Sequence, residues 1–401
     1  MPSMRIACFD PSPFDFPRPK IPLLPNKLSL GRNPPPAHST LDEVTGSAKC
    51  FASFMRGRYA LCEAYRLSGV RSGTALMAPA YHCLTMLDPA IMLEAEILLY
   101  PLNKDLSPDL AHFDSVLAQT KNPVKALLAT HFFGFIQDFT KLKTWCETRG
   151  ITLIEDCSHV LFFQDYRAVG SGQFGKYVTS SPYKYFACED GGLLFASEPS
   201  LLSNVNTKKR TLLDELRGLK HFLEKYRTNL PSFVSETQLS ELFRAPETTS
   251  ELQITDYNCP SSHFVQSDQT KAALRTSHWT VEIESLNSII AGRRKNYSLW
   301  VNLVETLPNC RALYPQLPET CIPYMFPLLI DKPTPHFHWL KHLGMPIWRW
   351  DELAVSECTI AHHYQLHLLH LPCHQSLDKS QMVWMTRTLS ALLKQSIEGF
   401  D

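Results

Sequence analysis

Three short stretches of this chain set reactive side chains just past apolar runs of strand length. ITLIEDCSH ends in Glu155 and Asp156, with Cys157, Ser158 and His159 behind them. YVTSSPYKYFACEDGG runs through Ser180 and Ser181 to Lys184 and closes on Gly191-Gly192. LMAPAYHC places Tyr81 and His82 just after Pro79. In open α/β sheets, ligands bind at the carboxyl ends of strands. An acid that closes one strand and a lysine that follows a nearby one suit pyridoxal 5'-phosphate (PLP). That cofactor needs a lysine amine for its Schiff base and a carboxylate against its pyridine nitrogen. The carboxylate keeps the nitrogen protonated, so the ring can accept electrons from a substrate carbanion. Ser180 and Ser181 suit the phosphate end, because hydroxyls donate hydrogen bonds at little steric cost. Taken singly, each of these residues is also what an ordinary solubilising strand end carries.

The elements that must hold these residues follow an α/β pattern. Candidate strands fall at Ala75–Ala80, Ile97–Pro101, Ala126–His131, Ile151–Asp156, Tyr177–Ser181 and Leu193–Ala196. Helices are expected over Arg58–Val70, stopped near Ser68-Gly69, and near Thr85–Leu93, Pro108–Thr120 and Asp138–Arg149. Strands alternating with helices at this spacing point to a mostly parallel sheet. Residues 1–45 are proline-rich, include Pro34-Pro35-Pro36, show no strand or helix period, and read as an extended arm. Residues 46–265 then form the large α/β domain, with a charged 200–255 stretch that lacks strand signals and carries the helix LLDELRGLKHFLEKY. Residues 266–401 form a smaller α+β domain that starts with one long helix, roughly Asp268 to Leu307. Tyr324–Ile330 and Pro346–Trp350 are its candidate strands, and Ser376 is the expected cap of the last helix.

Composition excludes several function classes. The chain has 401 residues, 44% of them hydrophobic, and 39 basic residues balance 39 acidic ones. A net charge of zero offers no field for a nucleic-acid backbone, and no polybasic segment suggests a membrane surface. No apolar run reaches the roughly 18 residues that cross a bilayer, and the first residues lack a secretory layout. Twelve cysteines without a CxxC pair read as reduced thiols, not as a zinc site or disulfide framework. The expected location is the cytoplasm.

From about Arg58 to the C-terminus the chain resembles the sugar aminotransferases typified by DegT and StrS, a branch of the fold-type I PLP enzymes. The resemblance is carried by GRYALCEAYRLSGV, PAYHCLTMLDPAI, ALLATHFFG, LKTWCETRGITLIEDCSHV and SSPYKYFACEDGG, and more weakly by AGRRKNYSLWVNLVETL and LPCHQSLDKSQ. It implies a large mostly parallel-sheet domain, a smaller C-terminal domain, and a homodimer. It implies that Lys184 forms the Schiff base and moves protons, and that Asp156 pairs with the pyridinium nitrogen. His159 stands where the family usually has Gln and would approach the ring or its 3′-oxygen, while Ser180 or Ser181 binds the phosphate. Two departures are clear. Where the family often has a phosphate-binding Gly-Thr or Gly-Ser step, the chain reads Gly57-Arg58-Tyr59, leaving backbone amides and Arg58 for that role. Where many members place a ring-stacking aromatic, the chain reads Pro79-Ala80-Tyr81-His82-Cys83, so Tyr81 or His82 would stack.

The implied reaction is transamination from an amino-acid donor, glutamate in many relatives, to a sugar-like or other small carbonyl acceptor. A PLP dehydratase or lyase of the same fold is the alternative, and Lys184 argues against it, since some such relatives replace that lysine by histidine. A silent, non-catalytic member would have no reason to keep both Asp156 and Lys184. The histidines 362, 363, 367, 370 and 374 read as a helix followed by a strand, not a metal site, with His374 near the substrate side in relatives. Arg293-Arg294-Lys295 reads as the solvated face of the long helix. His131 either approaches the site or packs as a hydrogen-bonded core residue, and Gln266 aligns loosely with an asparagine that reaches a partner's phosphate.

Overall fold

The computed structural model describes residues 4–9, 16–30, 51–161, 171–226, 239, 241–243 and 252–394. The expected Pro34–Pro36 run lies outside them. The chain enters with strand β1 (Met4–Phe9), then builds β2 (Phe51–Phe54), helix α1 (Gly57–Leu67), β3 (Ala75–Pro79), α2 (Asp88–Met92) and β4 (Glu96–Tyr100). Helix α3 (Phe113–Leu117), β5 (Val124–Thr130), α4 (Thr140–Thr148), β6 (Thr152–Asp156), β7 (Tyr177–Ser180) and β8 (Gly192–Ala196) complete a seven-stranded sheet. Its order is β2-β8-β7-β6-β5-β3-β4. The pairs from β7 through β4 are parallel, and β8 and β2 run antiparallel at one edge.

The reason lies in the sequence of the central strands. β3 is buried at every position, and β5 from Ala126 onward. Continuous apolar runs of this kind cannot face water on either side, so crossover helices must cover both faces. Helix α1 does so on one face with Tyr59, Ala60, Leu61, Ala64 and Tyr65, and ends at Ser68 before Gly69, whose φ is +84°. The other face packs into a core shared with the C-terminal half, where Trp300, Phe326 and Leu389 are buried.

That half contains α5 (Leu212–Tyr226), β9 (Leu252–Tyr257), α6 (Arg275–Ile283), α7 (Leu286–Val304), β10 (Cys310–Ala312), β11 (Met325–Ile330), α8 (Pro333–His342), β12 (Glu352–Ala354), α9 (Thr359–His367), β13 (Leu368–Pro372) and α10 (Lys379–Leu393). Strands β10, β11 and β13 form one antiparallel sheet, and β1, β9 and β12 another.

Several expectations are corrected here. The single helix expected from Asp268 to Leu307 is two, because Glu284 is extended (ψ 138°) and Ser285 caps α7 by accepting from Ser288 N. Glu284 leaves the helix because its carboxylate is claimed by Ala187 N and Ser29 N. Residues 4–9 are a strand despite lacking a strand period, and Leu252–Tyr257 is one inside the stretch read as strandless. These two pair with each other over six residues, so a distant partner supplies what local pattern does not show. Between Pro346 and Trp350 only Trp348 makes a bridge, to His370, and the strand comes later at Glu352. The last helix is capped by Asp378 in a capping box with Gln381, while the Ser376 hydroxyl holds Lys27 of the N-terminal segment. The helices expected at Thr85–Leu93 and Pro108–Thr120 are each a 3-10 turn followed by one short α-helix. No helix among the described residues is long and apolar enough to cross a membrane.

Candidate active site

The parallel pairing of β6 with β7 places Thr179 directly beside Asp156. The carboxylate of Asp156, 1% exposed, accepts from Thr179 Oγ1 at 3.2 Å and from Ser158 N at 2.9 Å, both on Oδ1. Its other oxygen, Oδ2, is buried without a partner. A buried carboxylate oxygen left unpaired is costly, since each unmet polar group forfeits a hydrogen bond it had in water. The protonated nitrogen of a pyridine ring is the kind of donor that would satisfy it.

Beyond β7, a 3-10 turn over Pro182–Lys184 turns the chain back and leaves Lys184 half-buried. Its Nζ lies 5.3 Å from the centre of the Tyr324 ring. The His159 ring lies 4.6 Å from the same tyrosine, and its Nδ1 is a second buried atom without a partner. Burial, and then the charge of Lys184, hold the His159 imidazole well below its usual titration range, so it is neutral. Phe133, at 5.9 Å, and Trp350, at 6.0 Å, complete an aromatic wall around it.

The start of α1 forms a cradle that could hold a phosphate. Ser181 Oγ donates to Ser158 Oγ at 3.0 Å, and a Cβ on Gly57 would come within 2.3 Å of Ser181 Oγ. The first helical turn therefore approaches the two hydroxyls so closely that a Cβ at Gly57 would displace the Ser181 hydroxyl. Gly192 serves the same approach from behind, where a Cβ would meet the Arg56 carbonyl at 2.3 Å. Anions favour such a helix N-terminus because its N–H groups point outward. Of the two serines, Ser181 faces the cradle with Ser158, a residue that sequence reasoning had left out of the site. Ser180 is buried at the end of β7. The side chains of Arg58 and Tyr59 turn elsewhere: Arg58 donates to the His263 carbonyl, and Tyr59 packs on Phe264 and accepts from Val265 N.

Tyr81 and His82 are both fully buried. Tyr81 lies 4.5 Å from the Trp350 ring and its hydroxyl is 3.0 Å from His370 Nε2. Burial pushes His370 to about 3 and His82 to about 4, so both are neutral. His82 accepts from Ala354 N of β12, which ties it to the second sheet.

The remaining candidates resolve individually. His131 stacks on Phe139, accepts from Gln137 N and bonds Glu155 Oε1 at 2.9 Å, the packed alternative. Glu155 also accepts from Gly172, Phe174 and Gly175 N–H groups. Burial works to raise its pKa, but the His131 bond and these donors outweigh it and hold the carboxyl low. Cys157 lies in the same cluster, whose possible ligand atoms fall within 4.8 Å of one another, yet the carboxylate is already engaged in fastening the 172–175 turn. His363 and His367 stack at 4.1 Å on α9, followed by strand β13. His374 Nε2 donates to Pro22 O, and Gln266 is exposed. Arg293 overturns the reading of a solvated face. It is 0% exposed and donates to Lys184 O, Tyr185 O, Pro323 O, Tyr324 O and Gln375 Oε1. The signal was available, since Arg293 falls on the buried helical stripe that runs Leu286, Ile289, Arg293, Asn296, Tyr297, Trp300.

Comparison with known proteins completes the description. A model of the DegT/DnrJ/EryC1/StrS aminotransferase family matches residues 32–238, more than half of the chain. L-glutamine:2-deoxy-scyllo-inosose aminotransferase of Streptomyces kanamyceticus is 26% identical over 149 residues, which is 36% of this chain and 34% of that protein. The chain thus spans about a third of the length of that curated relative. The fold is similar to an aminotransferase, TlmJ, from Streptoalloteichus hindustanus, with a TM-score of 0.59 at 17% identity over 88% of each chain. NtdA from Bacillus subtilis, solved with bound cofactor PMP, gives a TM-score of 0.59 at 13% identity over 86% of this chain and 73% of that one.

Proposed function

The chain belongs to the DegT/DnrJ/EryC1/StrS aminotransferase family, and on that premise we propose a PLP-dependent aminotransferase that moves an amino group from an amino-acid donor to a sugar-like or other small carbonyl acceptor. The observation that carries this reading is the buried, unpartnered Oδ2 of Asp156 at one strand end, with Lys184 following the next strand. When bound, PLP supplies an electron sink for the carbanion formed at the substrate α-carbon. The residues of this chain do the rest. Lys184 would hold the cofactor covalently, and its amine, once free, would take a proton as general base and give it back as acid. Asp156 Oδ2 keeps the pyridine nitrogen protonated. His159, neutral by burial, would offer its unpartnered Nδ1 to a polar substituent of the ring. Ser181, Ser158 and the first turn of α1 take the phosphate. Phe133, Tyr324 and Trp350 keep water from the reacting face.

Glutamate is the first donor to test, and glutamine stands beside it because the Streptomyces relative is named for it. The proposal extends to a homodimer, supported by Leu212, Leu213, Leu216, Leu219 and Leu223, all exposed along α5. It extends to the cytoplasm as well, supported by described cysteines that are nowhere joined in disulfides. Borohydride reduction of the PLP-loaded protein, followed by peptide mapping, should place the pyridoxyl group on Lys184. A donor supplied without acceptor should then yield the pyridoxamine form and one equivalent of keto acid. A label on another lysine, or dehydration of a hydroxylated substrate while no amino acid changes the spectrum, would overturn the reading.

A further inference from the structure

The motif around Lys184 belongs to the seven-stranded sheet, but the backbone of that lysine is gripped from the other half of the molecule. Arg293 Nη2 donates to Lys184 O at 2.7 Å and Tyr185 O at 3.4 Å. Its Nη1 donates to Pro323 O at 3.0 Å and Tyr324 O at 3.1 Å, and its Nε to Gln375 Oε1 at 2.9 Å. Gln375 Nε2 donates in turn to Tyr185 O at 2.6 Å. Next to Arg293, a Cβ on Gly292 would come within 2.9 Å of Gln375 Cβ, so α7 is held tight against that residue.

Three features separate this arrangement from ordinary packing. A guanidinium buried completely is expensive to desolvate. The Glu284 carboxyl, bonded to Gln375, attracts it electrostatically, while every oxygen hydrogen-bonded to it in the five bonds above is neutral and fixes its direction. The planar fork fixes directions that an ammonium cannot. Above all, one guanidinium holds both the backbone of Lys184 and the backbone of Tyr324, the residue whose ring lies 5.3 Å from the lysine amine. Lys184 reaches its amine through four flexible methylenes, and on the proposed reading that amine would be freed during the donor half-reaction and would rejoin the cofactor in the acceptor half-reaction. Fixing the backbone at the base of that tether together with the backbone that carries the ring beside its tip restricts the arc.

We propose that Arg293, braced by Gln375, is a positioning residue that sets where the Lys184 amine stands relative to Asp156 and Tyr324. The proposal rests on the aminotransferase reading of Lys184. It involves no bond made or broken at Arg293 itself.

The test compares four full-length proteins: wild type, Arg293→Lys, Gln375→Ala and Arg294→Lys. The last is a matched control, because Arg294 also grips backbone carbonyls from α7, at Pro318, Glu319 and Cys321, but does not touch Lys184. Two readouts besides turnover are used. In the PLP-loaded proteins the pH midpoint of the cofactor's visible absorbance is titrated. In the cofactor-free proteins the rate of reductive methylation of Lys184 with formaldehyde and cyanoborohydride is followed by mass spectrometry. Arg293→Lys should displace the absorbance midpoint by about half a pH unit or more. It should also lower the rate constant of the donor half-reaction by about ten- to a hundredfold with the donor KM little changed. Gln375→Ala should move the same quantities less and in the same direction, and it carries the test if Arg293→Lys fails to fold. Methylation of Lys184 should change in both and stay at the wild-type rate in Arg294→Lys. Midpoint, rate constant and methylation rate unchanged in both variants, or equally changed in Arg294→Lys, would overturn the proposal and leave Arg293 a packing residue. A wild type that takes up no PLP removes the aminotransferase reading instead, and the methylation rates still decide whether Arg293 positions the lysine.

Discussion

The strand ends of the large sheet and the Glu284 and Arg293 contacts that close over them treat their polar groups in opposite ways. On the sheet side, Asp156 Oδ2 and His159 Nδ1 are buried with no partner. On the closing side, Arg293 donates to four carbonyls and an amide oxygen, and Glu284 accepts from Ala187 N and Ser29 N. Nearly all buried polar groups in folded proteins are satisfied. His336 Nε2 and His374 Nδ1 are also unmet further along the chain, but Asp156 Oδ2 and His159 Nδ1 are the pair at the end of β6, beside the strand that Lys184 follows, and there the proposed cofactor would meet them. The saturated ones mark where the shape is set. On the proposed reading, chemistry and alignment are supplied by different halves of the chain, and the halves can be broken separately.

The largest effects should come from the side with unmet groups. Lys184→Ala should abolish covalent attachment of the cofactor and lower turnover on the order of 10⁴-fold or more, the upper range for a general acid–base group. Visible spectra before and after reduction, with single-turnover assays, check this. Asp156→Asn keeps the size of the side chain but loses the charge that protonates the ring nitrogen. The expected loss is about 10²- to 10³-fold in kcat, ~3–4 kcal/mol in the barrier, with cofactor binding partly retained. Near-normal turnover would assign the role to another carboxylate and dissolve the contrast drawn above.

These residues were legible because strand-end chemistry is local. Asp156 closes an apolar run, Lys184 follows another, and both sit within a few residues of the motifs that betray them. Six sheet strands were likewise readable from their own residues. The closing side was not, because its logic is long-range. Arg293 was read as solvated from its charged neighbours, though its partners lie at residues 184, 185, 323, 324 and 375. The break between α6 and α7 depends on bonds from Glu284 to residues 29 and 187, and β1 exists only by pairing with β9 and β12. Ser158 was overlooked for a different reason. It lies beside Asp156 in sequence, but only the turn after β7 brings Ser181 against it.

Next in size is the cradle, which belongs to the sheet side and on the proposed reading would act on binding and not on the proton transfers. Gly57→Ala would place a methyl 2.3 Å from Ser181 Oγ and force that hydroxyl away from Ser158. Loss of one charge-assisted hydrogen bond to phosphate, ~1.5–3 kcal/mol, corresponds to about ten- to a hundredfold weaker PLP uptake. Titration of the cofactor-free variant with PLP measures it, and an unchanged affinity would move the phosphate elsewhere.

On the closing side a pH effect on stability is expected, smaller and of defined sign. Burial raises the Glu284 carboxyl from 4.5 to about 7, against the pull of its backbone donors. Between those two values the unfolded chain has released a proton that the folded chain still holds, so folding stability from this group is fully present below about 4.5 and is lost as pH rises to about 7. The loss is at most about 3 kcal/mol from the size of the shift. Glu284→Gln, neutral at every pH, should remove that slope. Denaturant titrations of both proteins at pH 5 and pH 8 compare directly, and parallel pH dependences would show that Glu284 is ionised throughout.

The smallest predicted effect tests the seam where the two sides meet. The Tyr185 hydroxyl lies 2.7 Å from His159 O, at the end of β6, and 3.1 Å from Ile322 O, just before β11. It has one proton to give, so the shorter bond dominates and the longer one shares it. Burial raises the phenol well above its usual range, so it remains a donor at any working pH. Tyr185→Phe deletes the hydroxyl, leaves the ring against the Arg293 guanidinium (4.4 Å), and strips a partner from each carbonyl. The expected destabilisation is ~1–2 kcal/mol, the range for one net hydrogen bond plus the cost of a carbonyl left unpaired. Because the oxygens affected are backbone atoms on opposite sides of the seam, the loss should come with a looser fit between them. The amide hydrogens of Ser158 to Val160 should then exchange faster in the folded protein, while those of β3 and β5, buried in the sheet, keep wild-type protection. Equal loosening of β3 and β5 would mean that sheet and closing segment unfold as one unit, and the division between a chemical half and an aligning half would not survive it.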